Sequence, residues 1–265
     1  MQVLAVACTG VALAFLFSVL GFVLLQGTSA VNLDLFTQLP KPVGEPGGGM
    51  ANAIVGTIII LGVASLMAMP IGIGAGIYLA EFGTGRLGTL VRFVTDVLTG
   101  IPSITVGIFA YTVVVLPMRS FSALAGGFAL GIIMIPTVTR ATEEMMKLVP
   151  RSLREASLAL GIPQWKTILG IVVPAAAGGI ATGAMLAVAR AGGETAPLLF
   201  TAFGNRFWSV SLDGPIAAIP LQVFTYAVSP YDDWRAQAWA GALVLVMMVL
   251  LINIVARIVA RGHDT

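Results

Sequence analysis

The sequence predicts an all-α integral membrane protein with about six transmembrane helices, and three observations favour this fold class. The chain is 58% hydrophobic and only 10% charged, whereas an ordinary soluble domain is about 25% charged. Its mean hydropathy is +0.99. Six apolar runs are long enough to cross a hydrocarbon core of about 30 Å, which takes roughly 20 helical residues. These runs span 3–25, 53–79, 97–116, 121–138, 168–189 and 238–259.

The first apolar run is interpreted as a membrane anchor rather than a signal peptide. No basic residue precedes it, and it is longer than a signal-peptide core of about 7 to 15 residues. We therefore expect residues 1–50 to form an N-terminal transmembrane helix with an outer loop, and residues 51–265 to form the main helical membrane domain.

The later runs contain many glycines and prolines, which would make poor helices in water. In a membrane bundle, small residues allow close packing and prolines allow local kinks. The positions expected to act in this way are Gly72, Gly74, Gly76, Pro102, Pro136, Gly178, Gly179 and Gly183. A further apolar piece at 215–227 either re-enters the membrane or packs on it, and the sequence leaves both alternatives open.

The orientation is predicted from the basic residues outside the apolar runs. Nine of them lie in the second-to-third and fourth-to-fifth connections and the C-terminal tail: Arg86, Arg92, Arg140, Lys147, Arg151, Arg154, Lys166, Arg257 and Arg261. Four lie on the other side: Lys41, Arg119, Arg206 and Arg235. Because cytoplasmic loops carry the excess of Lys and Arg, both termini are predicted to be cytoplasmic.

The largest predicted cytoplasmic connection contains an ordered motif. Its residues are Glu155, Ala156, Ser157, Gly161, Ile171 and Pro174. The spacing resembles the E-A-A-x3-G-x9-I-x-L-P signature of the membrane subunits of ATP-binding-cassette importers, with Ser157 in place of the second alanine and Val173 in place of the leucine. The resemblance implies a coupling loop at 150–174, in which a short helix, a turn at the glycine and the next transmembrane helix dock on a cytoplasmic ATPase.

The residues of this loop are consistent with that implication. A helix over 151–160 would place Leu153, Ala156 and Leu160 on one face, and Gly161 with Pro163 would end it. The alternative is an interfacial helix that rests on lipid headgroups. That alternative would explain the apolar face and the arginines but not the ordered spacing through Pro174.

Several other kinds of chemistry find no support in the sequence. There is no G-x-x-x-x-G-K-[ST] motif to cradle nucleotide phosphates, so ATP is expected to be bound and hydrolysed by a partner subunit, and no cofactor is expected in this chain. There is no His or Cys pair that would bind a metal. The net charge of +2 gives no reason to expect a nucleic-acid surface.

A second motif is more specific. Its members are Ala189, Arg190, Ala191, Gly192, Gly193, Glu194, Thr195, Ala196, Pro197 and Leu198, followed by Phe203, Gly204, Asn205 and Phe207, and preceded in the third run by Gly100, Pro102, Ser103, Ile104 and Gly107. It resembles the phosphate-importer permeases, particularly the PstA type. The resemblance implies a MetI-like importer permease fold and a heterodimer with a PstC-like permease in the lipid bilayer, together with two ATPase subunits and an extracytoplasmic phosphate-binding protein.

Arg190 is a candidate site residue because a charge within an apolar segment usually faces a cavity or a partner. Glu194 is four residues further on, so the two would share a face and could pair if the helix persists. The alternative is that Arg190 marks the end of the helix and reaches the headgroups. The substrate-pathway candidates are Arg190, Glu194, Thr195 and Ser103, although a serine in a membrane helix more often bonds to a backbone carbonyl.

The sequence therefore predicts a permease subunit of an ATP-driven phosphate importer in the inner membrane. An importer of another oxyanion, molybdate or sulfate, is the alternative within the same class. A membrane-bound enzyme is disfavoured because the chain lacks converging nucleophilic, acid–base or metal groups.

Overall fold

A computed structural model describes residues 1–45 and 47–261, with no account of the side chains of Val3, Ala256, Arg257, Val259, Ala260 and Arg261. The last four residues of the predicted 51–265 domain therefore lie outside the described part. The described helices are α1 Gln2–Thr28, α2 Leu33–Thr37, α3 Ala51–Phe82, α4 Arg86–Gly100, α5 Ser103–Ala110, α6 Leu116–Met118, α7 Ala123–Leu148, α8 Arg151–Ala159, α9 Gln164–Thr167, α10 Val173–Gly192, α11 Ala196–Thr201, α12 Ile219–Ala227 and α13 Asp232–Arg261. Two π-helical turns, Tyr111–Val115 and Ile168–Val172, connect α5 to α6 and α9 to α10.

The predicted number of spans is confirmed, with one correction. Within the described residues, five helices are long and apolar enough to cross a membrane: Leu4–Thr28, Ala51–Phe82, Ala123–Leu148, Gln164–Gly192 and Asp232–Val255. The predicted third run is not one straight helix, because Arg86–Gly100 and Ser103–Met118 meet at an angle of 102°. Pro102 has no backbone N–H and forces the preceding residue out of helical geometry. Ile101 accordingly has an extended conformation, with ψ at 130°.

Proline also marks both π-helical turns. Pro117 stands two residues after Tyr111–Val115, and Pro174 stands two residues after Ile168–Val172. A proline ring clashes with the carbonyl four residues earlier in an α-helix, and a wider turn removes that carbonyl from the ring. The two wide turns therefore let each helix continue through its proline.

Small residues bring the central helices together. The most extensive interface joins α3 to α7. A Cβ at Gly72 would lie 2.8 Å from Val138 of α7, and one at Gly76 would lie 2.5 Å from the Thr142 Cβ. On α10, Gly179 and Gly183 face Met145 and Ala141 of α7. The close-packing prediction is thus confirmed at these four glycines and is wrong for Gly74, which has nothing within 4 Å of its Cβ position.

The first and last spans lie beside one another. Phe22 of α1 meets Trp239 of α13 edge to face, with ring centroids 5.2 Å apart. Gly27 of α1 also lies against Leu243 of α13. None of the apolar window of α1 is buried within the chain, so its remaining surface is available to lipid or to another subunit.

The apolar piece at 215–227 returns to the bundle. Ile216 and Ile219 are fully buried, and the Ile219 backbone N–H donates to Thr57 Oγ1 of α3 at 2.9 Å. The α12 helix then packs against α13. The sequence left re-entry and packing open, and the structure places this piece between α3 and α13.

Candidate functional site

The first candidate region is the signature segment, residues 155–174. Its helix α8 ends one residue short of the predicted boundary, and Gly161 follows with a φ of +75°. The Ile162 N–H donates to the Ser157 carbonyl, and the Gly161 N–H donates to the Leu158 carbonyl. This pair of bonds is the Schellman arrangement, which favours glycine at the left-handed position. The predicted turn at Gly161 is confirmed.

Ser157, one of the two residues that depart from the signature pattern, has a structural role. Ser157 is 3% exposed, and its Oγ lies 2.8 Å from Thr167 Oγ1. The two hydroxyls share a hydrogen bond that joins α8 to α9 across the Gly161 turn. The serine thus adds a contact that an alanine at this position could not make.

The opposite face of α8 is open. Glu155 and Ala156 are exposed, Leu153 is 43% exposed and Leu160 is 81% exposed. Further along, Ile171 is half-buried in the second π-helical turn, and Pro174 is exposed at the start of α10. The segment therefore presents a largely apolar face that none of the described residues covers.

Arg154 fixes the inner side of α8, and sequence reasoning missed it. Its Nη2 and Nε donate to Glu81 Oε1 of α3 at 2.7 and 3.1 Å. The same guanidinium donates to the carbonyls of Met146 and Val149 at 2.9 and 2.7 Å. These two carbonyls stand at the end of α7, where backbone acceptors lack helical partners. No local sequence signal joins Arg154 to Glu81, because the two residues are 73 positions apart.

A second arginine makes the reciprocal set of bonds. Arg92 of α4 donates to the carbonyls of Gly83 and Leu79, at the end of α3, at 2.7 and 3.0 Å. Its Nε donates to Glu143 Oε1 of α7 at 2.8 Å. We refer to Glu81, Arg92, Glu143 and Arg154 as the arginine–glutamate cluster. Each arginine bonds to the end of one long helix and pairs with a glutamate of the other.

Two further cations, Lys147 and Arg140, lie beside Glu143 of the cluster. Lys147 donates to Glu143 at 2.5 Å, and Arg140 lies between Glu143, at 3.5 Å, and Asp96. The Glu143 side chain is only 2% exposed, although it lies near the end of a long helix among charged residues. Three cations surround this carboxylate, which offsets the cost of burying it.

The second candidate region is the α10–α11 junction, residues 190–195. The α10 helix ends at Gly192, so Glu194 lies beyond the helix and the four-residue helical pairing with Arg190 is not formed. Arg190 is exposed and Glu194 and Thr195 are half-buried. Among the described residues, neither charged side chain makes an ion pair or hydrogen bond. The helix does not persist, and the expected pair is absent from this structure.

Ser103 begins α5, the helix that packs against α11 after this junction. A Cβ at Gly107 of α5 would lie 2.7 Å from the Pro197 Cα of α11. Further along both helices, Tyr111 and Phe203 each pack on Phe121. Ser103 itself lies one turn before Gly107, at the start of α5. Among the described residues Ser103 makes no side-chain hydrogen bond to a carbonyl.

A cavity of about 250 Å³ lies elsewhere, between α11 and α12. Asn205, Arg206 and Gln222 contribute its polar lining. Arg206 also lies over the Trp234 ring, 5.5 Å from the centroid. None of the four predicted pathway residues lines this cavity, so it does not bring them together.

Comparison with known proteins agrees with this geometry. Residues 72–264 match the model of the family described as binding-protein-dependent transport system inner membrane component. The chain belongs to this family. Curated relatives include a phosphate transport system permease protein PstA of Yersinia pestis, 48% identical over 88% of this chain and 80% of the relative. One from Xylella fastidiosa is 49% identical over 88% and 81%.

The PstA-type resemblance stated from the sequence is therefore confirmed. A more distant relative, the Mycobacterium tuberculosis protein named PstA 1, is 41% identical over 80% of this chain and 70% of its own length. Because these relatives are named as transport permeases, the prediction of a transporter membrane subunit rather than an enzyme is confirmed as well.

Solved structures support the fold. A chain of the MetNI methionine ABC transporter, in an inward-facing conformation, has a TM-score of 0.66 at 17% identity and covers 81% of this chain and 97% of its own. A chain of an amino acid ABC transporter has a TM-score of 0.54 at 15% identity, with coverages of 79% and 92%. The predicted MetI-like permease fold is confirmed, and the chain is a multi-pass membrane protein of the ABC importer class.

Proposed function

We propose that this chain is the membrane-spanning permease subunit of an ATP-driven inorganic phosphate importer. The observation that carries the proposal is the 48% identity to a protein named as a phosphate transport permease, over 88% of this chain. In the proposed complex it forms half of the translocation pathway with a PstC-like permease. Two ATPase subunits and an extracytoplasmic phosphate-binding protein complete the complex.

The signature segment is proposed to contact the ATPase. Its support is the open face of Glu155, Ala156 and Leu160 opposite the anchored Arg154. Ile171 and Pro174 stand where α10 begins, after the part of the segment that is proposed to dock. On this proposal both termini and the signature segment are cytoplasmic, as the charge distribution predicts.

The α10–α11 junction is proposed to meet phosphate. A guanidinium has a planar fork of donors that suits phosphate oxygens, and Arg190 is exposed with no partner among the described side chains. Glu194 is close in sequence and can compete for the same donors in another conformation, which would keep anion binding transient. Thr195 and Ser103 would supply hydroxyl groups to the same path.

Uptake into membrane vesicles tests the proposal. Vesicles that contain the assembled complex and the binding protein should accumulate labelled phosphate when ATP is supplied on the ATPase side. Excess unlabelled phosphate should compete, whereas sulfate and molybdate should not. Uptake of molybdate or sulfate in place of phosphate would reject the substrate while retaining the importer class.

A further inference from the structure

The side of α8 that faces the bundle is held mainly by charge. Arg154 makes bonds to Glu81, Met146 and Val149, and its side chain is 20% exposed. Ser157 contributes the neighbouring hydroxyl contact to Thr167. The apolar residues of α8, in contrast, point away from the bundle. Among the described side chains of α8, Arg154 is the one that bonds this helix to both α3 and α7.

Glu81 is the charged partner that orients this guanidinium. Its carboxylate is 8% exposed, and it accepts from both Nε and Nη2 of Arg154. A two-nitrogen contact of this kind sets the plane of the guanidinium as well as its distance. Without the negative charge, Arg154 would retain only neutral carbonyl acceptors at the end of α7, and α3 would no longer be tied to α8.

The end of α3 is in turn bonded to α4. Arg92 donates hydrogen bonds to the backbone carbonyls of Leu79 and Gly83, on either side of Glu81. From α4 the chain turns at Pro102 into α5, and Gly107 of α5 lies on Pro197 of α11. A series of directly bonded or closely packed elements therefore leads from α8, through α3, α4 and α5, to the junction that contains Arg190.

We propose that the Glu81–Arg154 ion pair transmits the position of α8 to α3, so that Glu81 is a positioning residue for coupling ATP hydrolysis to transport. The inference rests on the proposed function, because it assumes that α8 meets an ATPase. It adds a residue outside the signature segment, 74 positions before Glu155 in the chain, to the coupling apparatus. Glu81 touches neither substrate nor nucleotide on this proposal and acts through Arg154.

The test compares Glu81→Gln with the matched control Glu144→Gln in the purified, reconstituted complex. Glu144 is an exposed glutamate near the same end of α7, and within the described structure its side chain has no hydrogen bond or ion pair. We expect Glu81→Gln to raise the ATP hydrolysed per phosphate imported by roughly ten-fold, since a neutral amide replaces the charged partner of Arg154 and weakens its hydrogen bonds. Glu144→Gln should keep the parental ratio.

The conservative variant separates positioning from general stability. Glu81→Asp keeps the carboxylate and should recover part of the parental ratio. If Glu81→Gln keeps the parental ratio, the proposal is overturned. It is equally overturned if ATP hydrolysis, uptake and the amount of assembled complex fall together in proportion, because that result indicates a structural role alone.

The outcome for the proposed function is read separately, from the unmodified complex. If that complex imports another oxyanion and not phosphate, the proposed substrate is wrong. The role of Glu81 is then still tested by the ratio of ATP hydrolysed to anion imported, measured with the anion that the complex transports.

Discussion

The signature segment and the α10–α11 junction differ in how their charged groups are satisfied. Around α8, Arg154 and Glu81 pair with each other, and what remains open is an apolar face. At the junction, Arg190 and Glu194 have no ion pair or hydrogen bond within the described residues. A charge in a membrane segment needs a partner or a water-filled cavity. Within the described residues, the first region therefore pairs the charge that faces the bundle and leaves its outer face open, whereas the second lacks partners for both of its charges.

This difference separates two kinds of functional surface. A docking surface works when its own chain holds it in one shape before the partner arrives, because less ordering is then needed on binding. A transport site must exchange partners, and internal ion pairs that were too stable would compete with the substrate. The following variants test whether the two regions differ in this way.

The largest effect is expected at Gly161. Gly161→Arg should insert and assemble in the membrane but stop phosphate uptake. A φ of +75° is strained by about 1–2 kcal/mol for a residue with a side chain. The added charge also lies beside the docking face. Gly161→Asn should retain more uptake, since asparagine tolerates this conformation. Parental uptake by an assembled Gly161→Arg variant would contradict the coupling assignment of the segment.

The next effect is expected at Arg190. Arg190→Gln should lower phosphate uptake by at least about 100-fold, while the complex still assembles. The loss is that expected when one partner of a charged, hydrogen-bonded pair, here arginine and phosphate, is removed. Arg190→Lys should restore uptake only in part because the planar fork is lost. Arg119→Gln is the control, because Arg119 is also exposed and has no ion pair among the described residues. Near-normal uptake by Arg190→Gln would favour headgroup contact instead.

A smaller change is expected at Glu194. Because the carboxylate is half-buried and Arg190 is exposed, any pairing between them in another conformation contributes about 0.2–1 kcal/mol. Glu194→Gln should therefore change uptake by roughly two- to five-fold. The double variant with Arg190→Gln should lose no more than Arg190→Gln alone if the two residues act on each other. Additive losses in phosphate uptake would show that they act independently.

The smallest effect is expected at Ser157. Ser157→Ala restores the alanine of the family pattern and removes the hydroxyl contact to Thr167, which contributes about 1 kcal/mol. We expect a small drop in the thermal stability of the complex, with uptake kept within about two-fold of the parent. Thermal unfolding of the purified complex, measured beside uptake, gives both quantities. A complete loss of uptake would mean that the hydroxyl pair is needed for docking itself.

Local chemistry explains what could be predicted. The apolar runs gave the spans because each needs about 20 apolar residues, and Gly161 gave the turn because the chain must take a positive φ there. The third run was harder to interpret. Apolar composition continues through Pro102, and the angle of 102° depends on how α4 packs on α3 and α7 and how α5 packs on α7 and α11.

The charged residues show where sequence reasoning stops. Lys147 could be placed near Glu143 from helical spacing alone, and they do pair. Arg154 and Glu81 are 73 residues apart, and nothing in either neighbourhood of the sequence identifies the other. The predicted Arg190–Glu194 pair is absent for the opposite reason. Their four-residue spacing suggested contact on one helix face, but the helix ends at Gly192, before Glu194.

By itself, the sequence determined the membrane class, the approximate spans, the signature turn and the family, because each depends on composition or on spacing within a few residues. The tertiary structure decided the 102° angle at Pro102, the return of 215–227 to the bundle and the arginine–glutamate cluster. Each of these requires groups far apart in the chain to meet. A buried carboxylate such as Glu143 is tolerated only where cations from other turns and helices surround it, and that arrangement exists only once the helices have packed.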